Sequence, residues 1–137
     1  MKNQSYKNKT ILVLEDERPL LEAIKIKLRL NDFGVVTARS VKQALSYIKD
    51  IKEINAIWLD HYLFGKENGL DFVAVMKNNK NWRKIPIFIV SNTASPEKVQ
   101  SYLALGVNKY YTKADFSLDQ IIFDIKDYFN KLNTKNK

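Results

Sequence analysis

The chain contains no cysteine, which excludes a disulfide framework, a zinc ribbon and a thiol nucleophile and fits a reducing compartment. Its one histidine, His61, is too few for a histidine-built metal centre. At the head of a loop that residue is expected to be an exposed side chain. Only four glycines occur and none forms a glycine-rich phosphate loop, so nucleotide binding is not indicated. No apolar run approaches the roughly 20 residues of a membrane-spanning helix. The polar start MKNQSYKNKT lacks the apolar centre of a secretory signal. The expectation from these absences is a soluble, cytoplasmic chain with no membrane span.

What is present suits one globular domain: 137 residues, 45% hydrophobic and 12% aromatic, suffice for a single core. The net charge of +8 invites a nucleic-acid reading. Its distribution argues otherwise. The excess sits in Lys2, Lys7 and Lys9, in the loop cluster Lys77, Lys80, Arg83 and Lys84, and toward the end in Lys126, Lys131, Lys135 and Lys137. The rest is slightly acidic, and no aromatic-interleaved basic stripe accompanies the lysines, so no direct nucleic-acid partner is expected.

After a polar arm over 1–9, Thr10 to Leu14 is a continuous apolar run that ends on Glu15-Asp16-Glu17, the pattern of a strand buried on both faces. Pro19 suits an early helical position, and Leu20, Leu21, Ile24 and Leu28 follow at helical spacing. The unit then recurs. Strands are expected at Val35–Ala38, Ala56–Leu59, Ile87–Val90 and Lys109–Thr112. Helices are expected after Ser40, which with Gln43 has capping-box spacing, after Gly69, after the Ser95-Pro96 cap, and after Ser117, again with Gln120 three residues on. Gly106 is placed to close the fourth helix. The apolar stripe Leu118, Ile121, Ile122, Ile125, Phe129 and Leu132 ends the domain at 132, leaving 133–137 as a frayed basic tail. Five strand-then-helix units imply a doubly wound parallel sheet, because right-handed crossovers place helices on both faces.

In such a sheet, ligands bind beyond the carboxyl ends of the strands, where Glu15, Asp16, Asp60, Ser91 and Lys113 fall. Three converging carboxylates repel one another unless a cation offsets them. A hard ion such as Mg2+, taking carboxylates, waters and phosphate oxygens, is the natural partner, with Lys113 supplying further positive charge. A serine hydroxyl beside them can hold a phosphoryl oxygen.

The segments ILVLEDE (Ile11 to Glu17), WLDHYLFGKENGLDF (Trp58 to Phe72), PIFIVSN (Pro86 to Asn92) and GVNKYYTK (Gly106 to Lys113) resemble the receiver domain of bacterial two-component response regulators, over about residues 10–132. The resemblance implies a flavodoxin-like five-stranded sheet of order 2-1-3-4-5 with five helices. It implies Asp60 as phosphoacceptor, Mg2+ bound with Glu15, Asp16, Asp60 and the backbone carbonyl of Tyr62, and Ser91 and Lys113 on the phosphoryl group. Ser91 and Tyr110 would form a two-state switch. A histidine kinase or phosphotransfer protein would be the donor. The face made by the fourth helix, fifth strand and fifth helix would meet a downstream protein target, with room for a homodimer. Such a domain assists its own phosphorylation and dephosphorylation but is a switch, not a turnover enzyme.

Departures from the family pattern matter. Ala114 stands where a proline, often cis-bonded, usually follows the lysine, so either strain is stored there or the loop takes another path. The loop after Asp60 is one residue longer than usual. Tyr62 and Thr93, at the positions that tune water access in receivers, offer bulk without a carboxylate or amide to orient water, so a long-lived phosphorylated state is expected. Two rivals stand beside this reading. One is a pseudo-receiver used only for protein contact. The other is a haloacid dehalogenase-like phosphatase, which would want a second aspartate where Tyr62 stands. With no helix-turn-helix pattern after Leu132, the expectation is a chain that either acts alone or was excised from a longer regulator or hybrid kinase, the start at Met1 favouring the stand-alone form.

Overall fold

Each apolar run becomes a strand in the computed structural model, which describes residues 4–51, 53–93 and 95–135. The strands are β1 (Thr10–Leu14), β2 (Gly34–Ala38), β3 (Ala56–Leu59), β4 (Ile87–Ser91) and β5 (Lys109–Thr112). The helices are α1 (Arg18–Leu30), α2 (Val41–Asp50), α3 (Gly69–Asn78), α4 (Pro96–Ala104) and α5 (Leu118–Lys135). All pairings are parallel and the order is β2-β1-β3-β4-β5, the flavodoxin-like arrangement.

Alternation along each strand explains why the central runs are apolar throughout. Leu12, Leu14, Ile57, Leu59, Ile87 and Ile89 face one layer with Val41, Ala44, Phe72, Val73, Met76 and Tyr102 from α2, α3 and α4. Ile11, Val13, Trp58, Phe88, Val90 and Tyr111 face the other with Leu21, Ile24, Leu28, Ile121, Ile122 and Ile125 from α1 and α5. Burying each such aliphatic side chain stabilises the fold by about 1.5–3 kcal/mol before conformational entropy is set against it.

Register builds the site. Leu14 pairs with Leu59, so the residues that follow, Glu15 and Asp60, emerge side by side. Ser91 pairs with Thr112, so Lys113 leaves the sheet next to Ser91. Backbone bonds extend the ladder past the strand ends: Asp60 N–H to the Leu14 carbonyl at 2.9 Å and Lys113 N–H to the Ser91 carbonyl at 2.9 Å.

The helix caps match the sequence pattern, with two differences. Ser40 and Ser95 cap α2 and α4, Ser117 and Gln120 close a reciprocal pair ahead of α5, and Gly106 has φ +92. Gln43, however, accepts from the Arg39 N–H instead of returning to Ser40. A further capping box, Asn68 with Asp71, starts α3 inside what reads in sequence as a plain Gly/Asn-rich loop.

The expected frayed tail over 133–137 starts too early: α5 continues to Lys135, since nothing between Leu132 and Lys135 breaks a helix already anchored by its apolar stripe. Asn136 and Lys137 lie outside the described residues. The polar arm is tied down from Gln4 onward. Ser5 N–H donates to Asn130 Oδ1, Asn8 N–H donates to the Asp32 carbonyl, and the Tyr6 ring meets Phe33 at 5.7 Å. No peptide bond among the described residues is cis, so the Lys113–Ala114 loop takes the other path. Among the described residues no helix is long and apolar enough to cross a membrane.

Candidate functional site

At the carboxyl edge of the sheet, carboxylate oxygens of Glu15, Asp16 and Asp60 lie within 4.8 Å of one another. Glu15 and Asp60 are buried and Asp16 is half-buried. Lys113 offsets part of this charge, its Nζ standing 2.9 Å from Glu15 Oε1 and 3.3 Å from Asp60 Oδ2. Burial raises the Glu15 carboxyl above its ordinary range, and the Asp60 charge adds to that against the pull of Lys113. Burial alone would lower the Lys113 ammonium, but hydrogen bonds and charges from Glu15 and Asp60 outweigh it and hold it above the usual lysine range. The site is therefore still short of positive charge.

The oxygens are not equivalent. Glu15 Oε1 takes Lys113, and Oε2 takes the Glu17 N–H at 3.2 Å. Asp60 Oδ2 takes Lys113, while Asp60 Oδ1 is buried with no hydrogen-bond partner among the described residues. Ser91 Oγ is in the same condition, fully buried and unpartnered. Leaving a buried polar atom unpaired costs about 1–3 kcal/mol, so two such atoms in one corner mark a place built for something that arrives there. An oxygen-seeking divalent cation and a phosphoryl group both fit this donor set.

Sequence reasoning missed several neighbours. Arg39 donates from Nε and Nη2 to the Asp16 carbonyl, at 3.2 and 3.0 Å, and its guanidinium lies 5.8 Å from the Phe64 ring. That fixes the backbone presenting Asp16. Contrary to expectation, His61 is 7% exposed. Its Nδ1 shares a 2.6 Å hydrogen bond with the Tyr102 hydroxyl on α4. Burial, then the charge of Lys98, lowers the imidazole from its ordinary value, so it is neutral near pH 7. Gly69 makes room for this contact: a Cβ there would overlap the Tyr102 hydroxyl and lie 3.1 Å from the Asp60 carbonyl oxygen.

Tyr62 and Thr93, named from sequence as tuning positions, are both exposed and are joined by a residue the sequence did not single out. Lys98 Nζ stands 2.8 Å from the Tyr62 hydroxyl and 2.8 Å from Thr93 Oγ1. Tyr110 is half-buried, its ring 5.7 Å from Tyr102, and its hydroxyl donates to the Thr93 carbonyl. Tyr111, its alternate on β5, is buried and donates to Asp124. Beside Lys113 a cleft of about 350 Å³ opens between α1 and α5, lined by Leu20, Ile24, Phe116 and Leu118 among others.

Residues 10–105 match the family model of the cyclic-phosphate processing receiver domain. The chain belongs to that family. The matched span stops short of β5, so Lys113 lies outside it. The receiver is 30% identical over 117 residues to an NtrX-like response regulator of Rickettsia typhi, a match covering 85% of this chain and 24% of that protein. It is 27% identical over 127 residues to the phosphate regulon transcriptional regulatory protein PhoB of Klebsiella pneumoniae, covering 90% of this chain and 52% of that one. This chain thus spans about half or less of both relatives. The phosphorylated cyanobacterial phytochrome response regulator RcpA superposes with a TM-score of 0.75 at 25% identity, covering 88% of this receiver and 91% of that chain. The Glu15, Asp16 and Asp60 cluster is typical of the phosphorylation site of response-regulator receivers.

Proposed function

We propose that Asp60 accepts a phosphoryl group from a phosphohistidine; what carries this reading is that Asp60 Oδ1 and Ser91 Oγ, at the carboxyl ends of the adjacent strands β3 and β4, are both buried without a partner among the described residues. Asp60 Oδ1 attacks phosphorus; the oxygen–phosphorus bond forms as the phosphorus–nitrogen bond breaks, the electron pair leaving with the imidazole. Lys113, already bonded to Asp60 Oδ2, holds the carboxylate in place and offsets charge on the transferring group. Ser91 donates to a phosphoryl oxygen, which gives its buried hydroxyl the partner it lacks. Positioning and charge compensation supply the catalysis, so the domain assists its own labelling without turnover.

Mg2+ bound there would neutralise phosphoryl charge. The residues that would hold it are Asp16 and Asp60, with the Tyr62 carbonyl as the resemblance implies. Glu15, whose oxygens take Lys113 and the Glu17 N–H, belongs to the same carboxylate cluster and would add to its hold on the cation. The donor would be a histidine kinase or phosphotransfer protein, and the cleft between α1 and α5 beside Lys113 suits its approach. Output would run through Ser91 and Tyr110 to the face of α4, β5 and α5, toward a protein target or a second copy, in the cytoplasm. The phosphorylated state of RcpA, a structural relative, supports the same use of this fold.

The test is intact mass after incubation with Mg2+ and phosphoramidate. The parent should gain one phosphoryl group and Asp60→Asn none; an unlabelled parent, or a labelled variant, refutes the assignment.

The family's description favours a second reading, in which Asp60 Oδ1 opens a cyclic phosphate and the ring oxygen leaves with the electron pair and takes up a proton. Incubation with a nucleoside 2′,3′-cyclic phosphate and Mg2+ tests it. Ring opening that depends on Asp60 would support it, and an unchanged cyclic phosphate would dismiss it.

A further inference from the structure

We infer that Lys98 is a positioning residue that clips Tyr62 and Thr93 together beside the phosphorylation site and so slows the approach of water to a phosphoryl group on Asp60. The inference rests on Asp60 being the phosphoacceptor. Its ground is that one ammonium joins two loops. Tyr62 follows Asp60 by two residues after β3, and Thr93 follows Ser91 by two after β4. Lys98 comes from a third element, the first turn of α4, where its own N–H is fixed by the Ser95 hydroxyl. Its Nζ reaches both hydroxyls at 2.8 Å and also sits 4.6 Å from the centre of the Tyr62 ring.

Two features keep the clip from being an idle surface contact. First, Tyr62 is 51% exposed, and apart from an edge-on contact with the His61 ring at 4.8 Å its hydroxyl end is held by Lys98. Charge-assisted hydrogen bonding, together with the ring contact, holds it across the gap between the two loops. Each hydroxyl commits one of its acceptor lone pairs to Lys98 and is that much less free to activate a water. Second, α4 cannot slide easily. Tyr102, one turn beyond Lys98 on the same side of the helix, is bound to the buried His61 next to Asp60. Lys98 at the rim and Tyr102 behind it tie α4 to the loop that carries the phosphoacceptor. By linkage, a protein that pulls on α4 would loosen the clip, and a closed clip would disfavour that protein.

The experiment measures first-order loss of phosphate from phosphoramidate-labelled protein at fixed Mg2+. Lys98→Met should lose phosphate about threefold faster or more, the scale expected when one or two modest hydrogen bonds guard the path. Lys98→Arg should restore the slow rate, because a guanidinium can donate to both hydroxyls and stack on the ring. In a Tyr62→Phe/Thr93→Val background, Lys98→Met should have little further effect, whereas a merely structural role would act equally in either background. The inference is overturned if Lys98→Met keeps the parent rate, or if it accelerates loss equally when both hydroxyls are gone. A parent that is never labelled overturns the phosphoacceptor reading as well, so the two failures are told apart.

Discussion

Replacing Lys113 with methionine removes the one ammonium among the described residues that touches both Glu15 and Asp60, while keeping most of the side-chain volume. The groups it leaves behind are poorly solvated: the Glu15 side chain is 1% exposed and that of Asp60 6%. Breaking a buried pair from one side costs about 3–5 kcal/mol, since the remaining charge stays buried without a partner. For a domain of this size the midpoint of thermal unfolding should fall by about 10–20 °C in a chelator. A divalent cation can replace much of what is lost. At about one hundred times its dissociation constant it restores roughly 2.7 kcal/mol, and without the competing ammonium the carboxylates should bind it more tightly than in the parent. The assay is calorimetric or circular-dichroism melting of both proteins across a Mg2+ titration. A fall of less than about 3 °C in chelator, or equal Mg2+ affinity in both proteins, would refute the view that Lys113 and the cation share one uncompensated charge cluster.

Ser91→Ala should leave the resting protein as stable as the parent or slightly more so, since it deletes a buried hydroxyl without a partner. The same variant should bind beryllofluoride more weakly, as a titration followed by nuclear magnetic resonance would show. Gly69→Ala should destabilise by about 2 kcal/mol or more by driving its Cβ into the Tyr102 hydroxyl, and adding Tyr102→Phe should recover part of that loss in urea unfolding. Burial raises the phenols of both Tyr102 and Tyr111, with Asp124 adding to the second. Their stabilisation is complete below the ordinary tyrosine value and is lost as pH rises above about 10, where only the unfolded chain releases the proton. Stability should therefore fall steeply in alkali, and less steeply in Tyr102→Phe or Tyr111→Phe.

Sheet and site were legible for the same reason. A strand buried on both faces has little room for polar residues, so β1 and β3 end where Glu15 and Asp60 begin, while β5 is a half-exposed edge strand; the limits of all three agree between sequence and structure. What was not legible depends on partners distant in the chain. His61 reads as a loop residue, and nothing near it announces a hydroxyl 41 positions away. Lys98 looks like any helix lysine, because its role is set by Tyr62 and Thr93 meeting only after β3 and β4 pair. Leu103 shares the apparent apolar face of α4 with Tyr102 yet is 45% exposed, since the short helix turns only a narrow strip to the core. The Asn68–Asp71 box was available in the sequence and was obscured by the surrounding Gly and Asn residues.

The position that receives the phosphoryl group is the most direct test of this site. An acyl phosphate on an aspartate is reduced by borohydride to homoserine, which marks the position in a peptide map. The receiver, labelled by phosphoramidate with Mg2+ and then reduced, should carry homoserine at position 60 alone. Homoserine at position 16, phosphate retained on Ser91, or an unmodified aspartate at 60 would contradict the assignment of this site.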